Sequence, residues 1–427
     1  MIESTSIQQS NEPGLEQHHG DVDFLRERLA SREIDFEEKL EKILNFQIAI
    51  PSWALGTGGT RFGRFPGTGE PRDVHEKMED ISVVDSLTRA TPRVSLHIPW
   101  DEPPDMQALI DQAAELGLEF DAVNSNTFQD QPGQKLSYKF GSLSHTDAAV
   151  REQAIDHNLS VIEIGRKLGS QSITIWLADG SNYPGQTHFR RSFDRLLGSL
   201  QQIYEQLPEH WQLFTEHKPY EPAFYSTVVQ DWGSSLMLVQ ALGEQASCLV
   251  DLGHHLPNTN VELITARLIS AGKLGGFHFN DSAYGDDDLT TGSIRPYQLF
   301  LIFNELVDAR IEYGDRFNPA YMLDQSHNLK DPIEALLQSV VALQNAYAKA
   351  LIVDRRALSG FQESNDVLMA EQTLTRAYAT DVCSLTAEAR FRSGGALDPI
   401  KAFRESKYRK TVSRKRLKEG YVPPKSL

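Results

Sequence analysis

The chain is predicted to be an α/β protein, a (β/α)8 TIM barrel with an N-terminal helix and a C-terminal helical extension. Three observations in its 427 residues carry that prediction. Short apolar runs alternate with helix-period stretches, the order that right-handed βαβ units and a parallel sheet require. Eight such runs fall between residues 46 and 328. Most of them end in acids, imidazoles or amides, which a parallel barrel would gather on one face. An open doubly wound sheet is the alternative, but it would usually carry a nucleotide fingerprint, and none is present.

Taken in order, residues 1–20 are polar and read as disordered. Asp21 to Phe46 reads as helix, with Phe24, Leu25 and Leu29, then Leu40, Ile43 and Leu44 at helical spacing. Phe46 to Pro51 is the first strand. A glycine-rich run, Gly56 to Gly69, follows. It lacks both the Gly-Lys-Ser/Thr ending and the GxGxxG spacing, so both nucleotide readings fail. Its two Phe and two Arg among glycines suit a mobile or subunit-bridging loop as well as a plain surface loop. Strands are then expected at 94–99, 120–125, 172–177, 211–215, 248–254, 275–279 and 320–323. Helices are expected at 106–116, 147–168, 190–207, within 227–242, at 261–271 and at 297–311. Beyond 328 the chain reads as helix: 332–353, 365–380 and 387–391. The organisation expected is a disordered segment and helix (1–45), a catalytic barrel (46–328) and a helical extension with a basic tail (329–427).

Composition narrows the function. The chain is 40% hydrophobic and 24% charged, ordinary for a globular protein. No apolar run is long enough for a membrane helix, and the first 21 residues have no apolar core of a secretory signal. The two cysteines, Cys248 and Cys383, lack CxxC spacing, so a reducing cytoplasm is expected. Net charge is −17. From Lys401 onward there are ten Lys/Arg against two acids, which leaves about −25 on the rest. Such a body repels nucleic acid and acidic membrane surfaces. The tail is expected to be a solvated helix pairing with acidic surface, its own or a sister subunit's.

The chemistry lies at the strand ends. Val250-Asp251-Leu252-Gly253-His254 brings an acid and an imidazole out of a buried strand, with a glycine expected to let the backbone turn sharply. The other strands deliver His97; Trp176 and Asp179; Glu216 and Lys218; His278 and Asn280; and Asp324 and Ser326. Side chains two apart share a face of a strand, so Glu216 and Lys218 point together and His217 points away. The loop after His278 adds Asp286 and Asp288. One such group is commonplace, but convergence from six strands demands partners or a metal. Carboxylates and imidazoles without thiolates favour Mn²⁺, Mg²⁺ or Co²⁺ over Zn²⁺. There are enough for two ions: Glu216, Asp251, His278 and Asp324 for one; His254, Asp286 and Asp288 for the other, with Asp251 near both.

At these residues the chain resembles the metal-dependent aldose–ketose isomerases on barrel folds, most closely the bacterial L-rhamnose isomerases of broad aldose specificity. The matching stretches are Pro51-Ser52-Trp53 with the glycine-rich loop, Val94–Trp100, Asn124–Phe128, Gly141–His145, Asp179–Gln186, Glu216–Gln230, Asp251–Asn260, Gly275–Asp288 and Asp324–Asn328. They cover nearly the whole chain from about residue 21 to the tail. The resemblance implies the same two ligand sets, loaded with Mn²⁺ (or Co²⁺ or Mg²⁺). It implies that His97 assists ring opening and that Lys218 hydrogen-bonds the substrate oxygen at C1 or C2. Trp53, Phe128 and Trp176 would form an apolar wall, and Ser326, beside Asp324, would orient a water. The expected reaction interconverts L-rhamnose and L-rhamnulose, and other aldoses such as D-allose. Hydrogen would pass between C1 and C2 as a hydride, or as a proton through an enediol. A homotetramer is expected from the extra helices and the glycine-rich loop. Alternatives are another main aldose such as xylose, a metal-dependent phosphoesterase or endonuclease on a similar barrel, and a non-catalytic barrel with a structural metal. The phosphoesterase would need a basic groove, against the charge of the body.

Overall fold

Eight parallel strands close on themselves. They are β1 (Ala49–Pro51), β2 (Arg93–Ile98), β3 (Glu119–Ser125), β4 (Ser172–Trp176), β5 (Gln212–Glu216), β6 (Ala246–Asp251), β7 (Leu274–Phe279) and β8 (Ala320–Leu323). Each pairs with its neighbours in sequence, and β1 pairs with both β2 and β8 to complete a (β/α)8 barrel. The computed structural model describes residues 2–55, 67–326 and 329–416. Most of the glycine-rich loop (56–66), positions 327–328 and the tail beyond 416 lie outside the described residues.

The strands form where short runs can be buried on both faces. All six residues of β6 are buried, as a strand between barrel core and outer helices requires. The helices are bounded by side-chain caps already written in the sequence. Asp73, Asp105, Asp147, Asp231 and Asn260 each accept a backbone N–H of the first turn. Such caps stabilise a helix by about 1 kcal/mol each. They open α4 (Val74–Thr88), α5 (Met106–Leu116), α6 (Ala148–Leu168), α8 (Trp232–Leu242) and α9 (Val261–Ser270), with α7 (Phe189–Tyr204) and α10 (Pro296–Tyr313) uncapped by side chains. At Gly276 an added Cβ would lie 2.4 Å from the Ala320 carbonyl oxygen, so β7 and β8 approach closely only because that side chain is missing. A register shift between Val94 and Leu96 lets His97 pair opposite Asn124, so both reach the cavity at the strand ends.

Several expectations are corrected. Residues 2–20, expected to be disordered, are largely helical: α1 (Ser4–Asn11) and α2 (Leu15–Ala30) bury Ile7, Val22, Leu25 and Leu29. The single helix expected at 21–46 breaks after Ala30, and Asp35 caps a separate α3 (Phe36–Leu44). Helix α4 was not anticipated. It is buried nearly all round, so it shows no amphipathic stripe. The C-terminal helices are α11 (Pro332–Leu351), α12 (Arg355–Glu363), α13 (Val367–Tyr378), α14 (Cys383–Arg392), α15 (Pro399–Ser406) and α16 (Tyr408–Lys415). Helix α12 was missed and α14 is longer than expected. The two ends of the chain meet: Asn11 bonds to Gly395 and Leu397, and His18 Nε2 lies 2.7 Å from Glu388. The tail, expected to be a solvated helix pairing with acidic surface, does pair with acids of its own chain, but it is not solvated throughout: Val412 and Arg416 are buried. Among the described residues no single helix is long and apolar enough to cross a membrane.

Candidate active site

A cavity of about 620 Å³ opens where the strands end, lined by residues from all eight strand exits. Trp53 follows β1; His97 and Trp100 follow β2; Asn124 and Phe128 come from β3. Trp176 closes β4, Glu216 and Lys218 leave β5, His278 sits on β7, and Asp324 and Ser326 leave β8. From the β6 exit comes His254, and from the β7 loop Asp286 and Asp288. Of the residues singled out from the sequence, three do not line the cavity: Asp179, Asp251 and Asn280. Asp251 and Asn280 lie just beneath, bonded to each other. Asp179 turns away: its carboxylate accepts the N–H and hydroxyl groups of Ser142 and Ser144 at 2.7–2.8 Å and is fully used there.

Among the described residues, two groups of carboxylates and imidazoles could hold metal ions. Glu216, Asp251, His278 and Asp324 offer ligand atoms within 4.8 Å of one another, as do Asp251, His254 and Asp286. His278 Nδ1 is 3.1 Å from Glu216 and 3.3 Å from Asp324. His254 Nε2 is 3.3 Å from Asp286 Oδ2. Asp251 belongs to both groups. Its Oδ1 accepts from the Gly253 N–H (2.7 Å) and the Asn280 amide (2.9 Å), while its buried Oδ2 has no hydrogen-bond partner among the described residues. Asp288, expected in the second set, stands outside that tight group but lines the same cavity. An orphaned buried carboxylate oxygen amid oxygen and imidazole donors fits a hard divalent cation. Gly253 serves differently from the sharp turn expected of it. Its φ is not left-handed; an added Cβ would fall 3.0 Å from Asp286 Oδ1, so the glycine makes room for that acid.

The electrostatics follow from compression. Burial pushes the Asp251 carboxyl up to about 7, helped by Asp324, Asp286 and Glu216 and opposed by His254. Burial works to lower His254 and His278, but the surrounding carboxylates win: His254 is raised to about 9 and His278 also moves well up. This half of the cavity concentrates positive charge wherever it can be carried.

The other half is aromatic. His97 stacks on Trp100 at 4.0 Å between centroids and meets Trp53 and Phe128 edge-on at 5.6 and 5.7 Å. Phe128 packs 4.5 Å from Trp176. Burial lowers His97 to about 4, so its ring is neutral near pH 7. Lys218 lies between the halves. Its ammonium bonds Asp286 Oδ2 at 2.5 Å and Glu221 Oε2 at 2.9 Å, and it lies 5.0 Å from the Trp176 ring centre. Among the described lining residues it is the one Lys or Arg, which leaves no basic groove for a phosphodiester.

Three contributors, Glu221, Asp101 and Lys77, were missed, as was a second role of Trp53. The Trp53 indole N–H donates to Asp324 Oδ1 at 2.8 Å, so this wall residue also holds a carboxylate of the first group. Glu221 flanks Lys218; its place in Lys218-Pro219-Tyr220-Glu221-Pro222, three residues from the lysine, was the available signal. Asp101 accepts the His97 N–H at 2.8 Å and a bond from Lys77 at 2.6 Å. Lys77 itself sits on the unrecognised α4, where no periodic pattern could have marked it.

No protein-family model matches the chain. A probable sugar isomerase of Rhizobium meliloti (strain 1021) is 57% identical over 416 residues, covering 97% of each chain. A xylose isomerase of Thermus thermophilus is 25% identical over 272 residues, 58% of this chain and 68% of the relative. The solved structure of an L-ribulose 3-epimerase superposes with a TM-score of 0.55 at 17% identity, over 73% of this chain and 99% of that one. That likeness is one of fold.

Proposed function

The chain belongs to the sugar isomerase family, and from that premise we propose that it is a metal-dependent aldose–ketose isomerase interconverting L-rhamnose and L-rhamnulose, with other aldoses such as D-allose also accepted. One observation carries the reading. Two carboxylate–imidazole groups, a buried lysine and a neutral histidine on an aromatic wall converge on one cavity. That is the equipment for opening a sugar ring and holding adjacent oxygens, without a redox cofactor.

Glu216, Asp251, His278 and Asp324 would hold one divalent ion, and Asp251, His254, Asp286 and Asp288 a second, with Mn²⁺ preferred over Co²⁺ or Mg²⁺. When bound, such ions supply Lewis-acid polarisation of adjacent sugar oxygens. The rest is done by the chain. The neutral ring of His97 takes the proton of the anomeric hydroxyl and returns one to the ring oxygen as the ring opens. Lys218, held by Asp286 and Glu221, donates a hydrogen bond to the oxygen at C1 or C2, where charge develops. Trp53, Phe128 and Trp176 exclude water while one hydrogen passes between C1 and C2, which exchange oxidation states. Ser326, beside Asp324, orients a water. The assembly proposed is a homotetramer, and a monomer by light scattering at assay concentration would contradict it.

The test is direct. Protein stripped with chelator is assayed for ketose formation from L-rhamnose, D-allose and D-xylose, with and without Mn²⁺. Turnover of L-rhamnose restored by metal is the expected result. Turnover of D-xylose alone would keep the mechanism and replace the substrate. No isomerisation of any of the three sugars would overturn the assignment.

A further inference from the structure

The described end of the basic tail connects to the aromatic half of the cavity through α4. Arg416, the residue after α16, has a side chain with 0% exposure. Its guanidinium bonds both oxygens of Asp80, at 3.0 and 2.9 Å, and Glu79 Oε2 at 3.0 Å. It also donates to the carbonyls of Glu76 (3.1 Å) and Gly69 (3.0 Å). Asp80 is itself fully buried and accepts the Tyr408 hydroxyl at 2.7 Å. Arg409, two helical turns earlier on α16, pairs with Asp331 at 2.6 and 2.8 Å and shares the Gly69 carbonyl. The tail thus bridges α4 and the start of α11, across the seam where three-residue β1 closes the barrel between β8 and β2.

The same helix supports His97. Lys77, three residues before Asp80, lies one turn away from it on α4. Its ammonium bonds Asp101 Oδ1 at 2.6 Å, both groups being buried. The other oxygen of Asp101 accepts the His97 N–H and the Ser52 hydroxyl, and the Asp101 N–H returns a bond to the His97 carbonyl at 2.9 Å. Ser52 precedes Trp53, whose indole holds Asp324. An unbroken chain of charge-assisted bonds and one rigid helix therefore runs from Arg416 to His97 and Trp53.

We propose that Arg416 is a positioning residue: by fixing α4 it sets where Lys77 and Asp101 hold His97 and Trp53. The tail then acts on turnover as well as on folding. This rests on the isomerase reading above, and the experiment separates the two. Arg416→Gln is compared with wild type under saturating Mn²⁺, after a thermal melt shows that it is folded at assay temperature. The expected kcat is lower by about tenfold, because small misplacements of a catalytic group are costly. KM for the aldose should stay within about twofold, and any change in Mn²⁺ affinity should be confined to the group containing Asp324, which the Trp53 indole joins to this path. Arg416→Lys should recover most of the loss. In an Asp101→Asn background, Arg416→Gln should cost nothing further, because one path carries both effects. A folded Arg416→Gln with wild-type kcat, or losses that multiply in the double variant, overturns the proposal. If Arg416→Gln does not fold, Asp80→Asn/Arg416→Gln removes the buried acid with its partner and carries the same measurements. Hydrogen exchange at the His97 amide is read alongside and needs no substrate. Faster exchange there, with β6 amides unchanged, supports the positioning role even if the wild type isomerises no sugar. Unchanged exchange at His97 overturns it whatever the activity.

Discussion

The two halves of the cavity are built on different principles. On the β5–β8 side, Glu216, Asp251, His254, His278 and Asp286 are buried acids and imidazoles held within a few ångströms of one another. Their positions are set by strand geometry, and the raised imidazoles and Lys218 carry the charge that offsets the acids. On the β1–β4 side, Trp53, His97, Trp100, Phe128 and Trp176 form a stack whose one titratable ring is kept neutral by burial. At His97 and Trp53 the strands are backed by a further layer: Asp101, Lys77 and Ser52. Under the proposed function the charged half would bind the cations and polarise the sugar, and the aromatic half would shape and dry the cavity and move protons. The contrast teaches that the halves should fail in different ways.

The hardest break is at Asp251, the acid shared by both metal groups. Asp251→Asn keeps the shape and removes the charge. Turnover of the preferred aldose should fall by roughly 10³-fold or more, since Lewis-acid stabilisation is worth several kcal/mol. Titration calorimetry with Mn²⁺ should show both binding events weakened. Two events of unchanged affinity would mean that Asp251 serves neither ion, and the charged half would need another centre.

The matching cut on the aromatic side is His97→Gln. Loss of a general acid–base should lower kcat by about 10²–10⁴-fold. Mn²⁺ stoichiometry and affinity should not change. The two variants together sharpen the contrast: one loses metal and rate, the other rate alone. A His97→Gln enzyme with near wild-type kcat on a cyclic aldose would remove the imidazole from ring opening.

The same division explains what could be read from the sequence. Strand ends carry their chemistry at a period of two, so Glu216 with Lys218 and Asp324 with Ser326 were legible as pairs facing one way. The barrel was legible because each strand is a short apolar run. The supporting layer was not. Lys77 and Asp80 lie on α4, a helix buried nearly all round, so charged residues there break the periodic signal instead of marking a solvent face. Asp179 looked like a site residue because it follows β4, but the loop at Ser142 and Ser144, far away in sequence, claims both its oxygens. The N-terminal 20 residues looked disordered because α1 and the start of α2 dock through few apolar contacts and the polar anchors Asn11 and His18, whose partners lie some 370–390 positions away.

The mildest variant tests whether the two halves are separate at all. Trp53 belongs to the aromatic wall by its ring and to the charged half by its indole N–H, which donates to Asp324 at 2.8 Å. Trp53→Phe keeps most of the wall and deletes that one donor. Partners that orient metal ligands typically contribute about 10–100-fold in affinity, so Mn²⁺ binding at one of the two sites should weaken by that order. At saturating Mn²⁺, kcat should return to within several-fold of wild type, because the remaining ring still covers His97 (a loss of roughly one packing contact). That pattern, a rate deficit that added metal removes, is one neither Asp251→Asn nor His97→Gln should show. A deficit that persists at saturating metal would instead assign Trp53 to the aromatic half alone, and the bond to Asp324 would then be a consequence of packing and not a link between the halves.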